Sequence, residues 1–151
     1  MNYHLAEINI ARMKGVNIDD PIMQEFVDNL DVINGLAESS PGFVWRLKDE
    51  SDNATDINPY NDEQVIVNVS VWEDIESLKQ FTYHSHHTDF MKRRKEWFHH
   101  YGNHYYAMWW LPESEVPSLE EAVARLTHLQ EHGLSDHAFT FKKLFSQPTE
   151  S

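Results

Sequence analysis

The sequence predicts an α+β domain on a ferredoxin-like plan: an antiparallel sheet with helices on one face, plus an extra C-terminal helix and strand. Three observations predict it. Alternating apolar residues mark strands, a three-to-four-residue apolar spacing marks helices, and the two alternate as β-α-β-β-α-β-α-β, whose first six elements are the split βαβ arrangement. The 151 residues fit one domain, 1–151, with residues 146–151 as a frayed tail.

Tyr3 to Arg12 alternates loosely, with Leu5, Ile8 and Ile10 apolar, and reads as the first strand. Asp20-Pro21 is a helix start, an N-cap aspartate before proline at the first helical position. Ile22, Phe26, Leu30, Ile33 and Ala37 then form an amphipathic stripe, which Ser39-Ser40-Pro41-Gly42 ends. Phe43 to Leu47 reads as a second strand with Phe43, Trp45 and Leu47 on one face, and residues 48–63 as a long polar loop. Val65, Val67, Val69 and Val71 form one face of the clearest strand, expected to meet helices. Ile66, Asn68 and Ser70 form a partly polar face suited to lining a cavity. Trp72 to Phe81 reads as helix, restarted by Ser85 and running to about Tyr101, where Gly102 stops it. His104 to Leu111 is a strand closed by Pro112. Ser118 opens a helix as a capping box with Glu121, Gly133 ends that helix, and Ala138 to Phe145 is a last strand. The open face of such a sheet needs a cover, and a second copy of the chain is the expected one, giving a homodimer.

Composition narrows the function. A net charge of −13 and a pI near 5.0 oppose binding to nucleic acid or to an anionic membrane surface. There is no cysteine, hence no disulfide, thiolate metal site or thiol nucleophile. Neither a signal-peptide pattern nor an apolar run long enough to span a membrane is read, and a cytoplasmic location is expected. No Gly-rich phosphate loop, G-x-S-x-G elbow or isolated carboxylate pair is present.

The chemistry concentrates between Tyr83 and Leu111, where six histidines and Arg93-Arg94 are interleaved with large aromatics. On a continuous helix Tyr83, His87, Phe90, Arg94, Trp97 and Tyr101 share one face. A dry core stripe does not normally carry a histidine and an arginine, so this face reads as the wall of a small-molecule pocket. Its two charged residues would have surface pairing as their alternative. His84, His86 and His87 do not converge as a metal set needs, and no metal is expected. His99, His100 and His104 read as cations at a helix end.

The combination Tyr83-x-Ser85-x-His87, Arg94-x-x-Trp97-Phe98, Met108-Trp109-Trp110-Leu111-Pro112, Glu121-Ala122 with Arg125-Leu126, and Ala138-Phe139-Thr140-Phe141 resembles the family catalogued as domain of unknown function 3291. The strand running into Trp72-Glu73 and on to Phe81 resembles the wider dimeric α/β-barrel superfamily, which includes antibiotic-biosynthesis monooxygenases and haem-handling enzymes. A weaker similarity is to haem-containing spheroidene monooxygenases. The resemblance implies a dimeric α/β barrel and monooxygenase-like chemistry on a hydrophobic or aromatic substrate. No cofactor is required by it. Haem, with His87 as axial ligand, is the less favoured version. In the cofactor-free version His87 is the expected general base and Arg94 the group that stabilises a developing oxyanion. Tyr83, Trp97, Phe98, Trp109, Trp110, Asn68 and Trp45 are the expected substrate contacts, with only one of Trp109 and Trp110 facing the pocket. The alternatives are a binding protein without catalysis, and aromatics that only build core and interface.

Overall fold

Eight consecutive residues of the valine strand pair antiparallel along nearly the whole first strand, and this pair is the spine of the molecule. The computed structural model describes residues 2–48, 59–60, 62, 64–84 and 93–148. Most of the expected 48–63 loop, and Ser85, His86, His87 and Phe90, lie outside the described residues. The strands are β1 (Tyr3–Arg12), β2 (Phe43–Arg46), β3 (Val65–Trp72) and β4 (Tyr106–Pro112), in the spatial order β2-β3-β1-β4. All neighbours are antiparallel. The helices are α1 (Gln24–Glu38), α2 (Ile75–His84), the single turn α3 (Arg94–Trp97) and α4 (Leu119–His132). The sheet with α1 and α2 is the ferredoxin-like α+β arrangement.

Local chemistry explains the element ends. Asp20 Oδ1 accepts from the Ile22 amide at 3.1 Å and starts a 3-10 turn, Pro21–Met23, that leads into α1. Ser118 Oγ accepts from the Glu121 amide at 3.0 Å and starts α4, while Gly133 ends it at φ 84°. Gly42 turns α1 into β2 at φ 83°, and a Cβ there would overlap the Ser77 side chain.

Three expectations are corrected. The register shifts between Phe43 and Trp45, so Phe43 sits opposite Trp72 while Trp45 sits opposite Val71 on the other face. A bulge breaks the two-residue alternation that placed them together. The helix expected to reach Tyr101 ends at Trp97. Phe98 is extended at φ −128°, ψ 145°, and pairs with Met13, with hydrogen bonds from Lys14 N to Trp97 O and from His99 N to Arg12 O. Burial of Phe98 against Phe26, with ring centroids 5.0 Å apart, outweighs the local helical spacing. The expected last strand reduces to bridges: Phe139 exchanges two hydrogen bonds with Met108 at the β4 edge, and Thr140 bridges Lys143.

Each sheet face has its own cover. Val65, Val67, Val69 and Val71, with Ala6, Ile8, Ile10, Ala107, Trp109 and Leu111, pack with Ala122, Leu126 and Leu129 of α4. The face expected to need a second copy is therefore covered by the chain's own C-terminal helix. The other face carries α1 and α2, and between them and the sheet the packing is incomplete.

Candidate functional site

A cavity of about 280 Å³ separates this second face from its helices. That is just below the usual range for small-molecule sites, roughly 300–1,000 Å³, and suits a ligand of two or three fused rings. Its roof is the α1 stripe Phe26, Leu30, Ile33 and Ala37, continued by Leu78, Phe81 and Thr82 of α2. The stripe that periodicity marks as apolar is thus partly the ceiling of a cavity. Periodicity reports which way a helix faces, and both a core and a hollow lie inward.

Strand registers lay out the floor. Ile66 pairs with Ala11, and Trp72 pairs with both Leu5 and Phe43, giving an apolar row at each end. Between them lie two polar rows: Asn68, Asn9 and Tyr106, then Arg46, Ser70 and Glu7. Arg46 is buried, and its guanidinium donates to Glu38 Oε1 at 3.0 and 3.1 Å.

Glu7 is the residue that dominates this floor. It is only 7% exposed, and its carboxyl is held by a directed set of hydrogen bonds. Asn9 Nδ2 donates to Oε1 at 2.7 Å. Ser70 Oγ donates to Oε2 at 3.1 Å, and the same hydroxyl accepts from Trp72 Nε1 at 3.0 Å. The indole N–H thereby fixes the serine hydrogen on the carboxyl. Burial pushes the Glu7 pKa up from 4.5 to about 7, against the opposing pull of the Asn9 and Ser70 donors. A carboxyl in this state passes a proton either way near neutral pH.

Glu7 was not among the residues singled out from the sequence. The signal was there in the strand parity: Glu7 and Asn9 alternate with the fully apolar Ala6, Ile8 and Ile10, as Asn68 and Ser70 alternate with the valines. Only the cross-strand register brings the two polar pairs together.

The residues expected to form the site separate into groups. Arg94, Tyr83, Phe98 and Asn68 line the cavity. Arg94 is half-buried, with its guanidinium 4.8 Å from the Tyr105 ring centroid and 5.4 Å from that of Phe98. Burial draws its pKa below the usual guanidinium value, yet an arginine remains charged. Its neighbour Arg93 turns outward and is bound to Glu25 at 2.6 Å and Glu96 at 2.7 Å. Tyr83 stands at the exposed rim, edge-on to Phe141 at 5.5 Å.

The four expected tryptophans stand elsewhere. Trp97 is buried beside Met13, Met23 and Phe26 in a cluster that shares Phe26 and Phe98 with the cavity lining, and Trp97 itself does not line the cavity. Trp109 lies on the valine face, where its Nε1 donates to Glu121 Oε1 at 3.2 Å. That face also takes Trp45, because of the bulge. Trp110 shares the cavity face, but its Nε1 donates to Phe145 O at 2.9 Å and it packs with the C-terminal segment. So neither Trp109 nor Trp110 lines the cavity. His87 lies outside the described residues.

Among the described residues no group of three or more His, Asp or Glu side chains is placed to hold a metal ion, and no helix is long and apolar enough to cross a membrane.

The fold is shared with solved structures of low sequence identity. SnoaB, a cofactor-independent oxygenase from Streptomyces nogalater, matches with a TM-score of 0.50 and 12% identity, over 79% of this chain and 98% of its own. NE2512, a protein of unknown function from Nitrosomonas europaea, matches with a TM-score of 0.51 and 11% identity, over 77% of this chain and 96% of its own. No curated protein matches. Residues 4–151 match the family described as "Domain of unknown function (DUF3291)", and the chain belongs to that family.

Proposed function

We propose that the cavity binds a flat, hydrophobic or aromatic molecule and carries out cofactor-independent, monooxygenase-like chemistry on it, with Glu7 as the proton-transfer group. One observation carries this reading: a buried carboxyl with a pKa near 7, aimed by Asn9 and Ser70, on the floor of an apolar cavity. The shared fold with a cofactor-independent oxygenase supports it by analogy.

The step balances without a cofactor. Glu7 takes a proton from a C–H beside a carbonyl or on a phenol-conjugated carbon. The resulting carbanion gives its electrons to dioxygen, a C–O bond forms, and Glu7 returns the proton to give a hydroperoxide. Loss of water from the former methylene leaves a carbonyl, so one dioxygen becomes one carbonyl oxygen and one water. The Asn9 and Ser70 donors hold the carboxylate in place for the first step, and the apolar walls keep water from the carbanion. This places the base on Glu7 instead of His87, the base expected from the sequence.

Anthrone, a three-ring molecule with a methylene conjugated to a carbonyl, is a suitable probe in an oxygen electrode at pH 7.5. The expected result is saturable oxygen uptake, one dioxygen per anthraquinone, reduced at least a hundredfold in Glu7→Gln. Uptake undiminished in that variant overturns Glu7 as the base. Anthrone binding without accelerated uptake overturns catalysis and leaves a binding protein.

A homodimer is retained as part of the proposal. Because α4 covers the valine face, the partner would seat on another surface, and sedimentation equilibrium decides it.

A further inference from the structure

We infer that the ligand of this cavity is an amphipathic acid, an apolar body with a carboxylate or other oxyanion at one end, and that Arg94 reads the anion. The inference rests on the pocket proposed above and names its ligand class.

Arg94 lines the cavity with its guanidinium carbon over the rings of Tyr105 and Phe98. A cation–π contact supplies no carboxylate or carbonyl acceptor, so the N–H donors remain for a partner. Among the described residues none supplies one. Glu96, two positions along the chain, and Glu25 of α1 are both bound to the neighbouring Arg93. The only carboxyl among the described residues lining the cavity is Glu7, whose two oxygens take Asn9 and Ser70. In a chain with 25 acidic and 12 basic residues, a half-buried cation with no carboxylate partner among the described residues is suited to receive the anion of a ligand.

The spacing gives the ligand its shape. Tyr105, which Arg94 stacks on, is tied by its carbonyl to the Ile10 amide at 2.8 Å. Glu7 lies three residues back along β1, roughly 10 Å at the rise of a strand. The floor between carries Asn9 and Asn68, and the roof above is mostly apolar. A ligand anchored by its anion at Arg94 therefore presents its far end to Glu7. The fixed charge orients it, and the reacting C–H is brought to the carboxyl at the opposite end.

Two dyes that differ only in the anion test this: 8-anilinonaphthalene-1-sulfonate and its uncharged parent N-phenyl-1-naphthylamine. Fluorescence titrations at constant ionic strength would use the wild type, Arg94→Gln, Arg94→Lys and Asn68→Trp, the last filling the cavity from its exposed floor. The wild type should bind the sulfonate more tightly. Arg94→Gln should weaken the sulfonate about tenfold or more and change the neutral dye less than twofold, and Arg94→Lys should recover part of the loss. Arg94→Gln affecting both dyes equally, or neither, overturns the inference while the pocket stands. Asn68→Trp leaving both dyes bound as before shows that they bind elsewhere, and overturns the pocket reading and this inference together. Far-UV circular dichroism of each variant separates loss of binding from loss of fold.

Discussion

The two faces of this one sheet are built to opposite rules. On the α4 face the central positions of β1, β3 and β4 are apolar, from Ala6, Ile8 and Ile10 through the four valines to Ala107 and Trp109, and all of these are buried. On the α1–α2 face the same strands place Glu7, Asn9, Asn68 and Ser70 at mid-sheet, below a hollow of about 280 Å³. The first face is shaped for stability. The second keeps a buried carboxyl and an unfilled volume, both of which reduce stability and both of which a ligand site needs.

The largest expected effect comes from the dry face. Trp109→Ala removes a fully buried indole that packs against α4 and donates to Glu121, and should destabilise the fold by about 3–5 kcal/mol in urea unfolding. Dye binding by the surviving folded protein should be unchanged, because Trp109 faces away from the cavity. A loss of dye affinity in folded Trp109→Ala would mean that the two faces are not independent.

Glu7 gives the next largest effect, and its sign is opposite to that of an ordinary salt-bridged carboxylate. Its pKa is raised on folding, from 4.5 to about 7. The folded state therefore holds a proton that the unfolded chain has released. The stability this contributes is complete below pH 4.5 and is lost as pH rises through 7, to a total of about 3 kcal/mol. Glu7→Gln keeps the shape and removes the titration, since the Ser70 hydroxyl can rotate to accept from the new amide. The difference in unfolding free energy between wild type and Glu7→Gln should shift in favour of the variant between pH 5 and pH 8. A pH-independent difference would mean that Glu7 is solvated and is not the group described here.

How much of this was legible in sequence differs between the faces in the same way. Val65 to Val71 announced their face by alternation alone, and the capping residues Asp20 and Ser118 marked where helices begin. The site was harder to read because it depends on long-range register. Glu7 and Ser70 are 63 residues apart and meet only because β1 and β3 pair as they do. Arg94 was legible as a polar residue on an aromatic stretch, and it does line the cavity. The wheel that grouped it with Trp97 and Tyr101 assumed a helix that tertiary burial of Phe98 cuts short. Trp45 and Trp109 attracted the pocket reading by size. A large aromatic is equally good core, and the bulge in β2 together with the parity of β4 decides which it is.

The smallest expected effect separates a relay from a lone acid. Trp72→Phe keeps a ring against Phe81, whose centroid stands 5.2 Å away, but removes the N–H that holds the Ser70 hydroxyl. The hydroxyl is then free to turn from Glu7, and the carboxylate loses part of one donor. The Glu7 pKa should rise by a few tenths of a unit, and the acidic limb of oxygen uptake should move with it to higher pH. Ser70→Ala removes that donor outright and should move the limb further in the same direction. If Ser70→Ala moves it and Trp72→Phe does not, the indole is only packing, and the polar set on this face ends at the serine. If both move it in that order, the buried tryptophan is a positioning residue for the carboxyl. Cavity floor and apolar end row would then be one device, because Trp72 belongs to both.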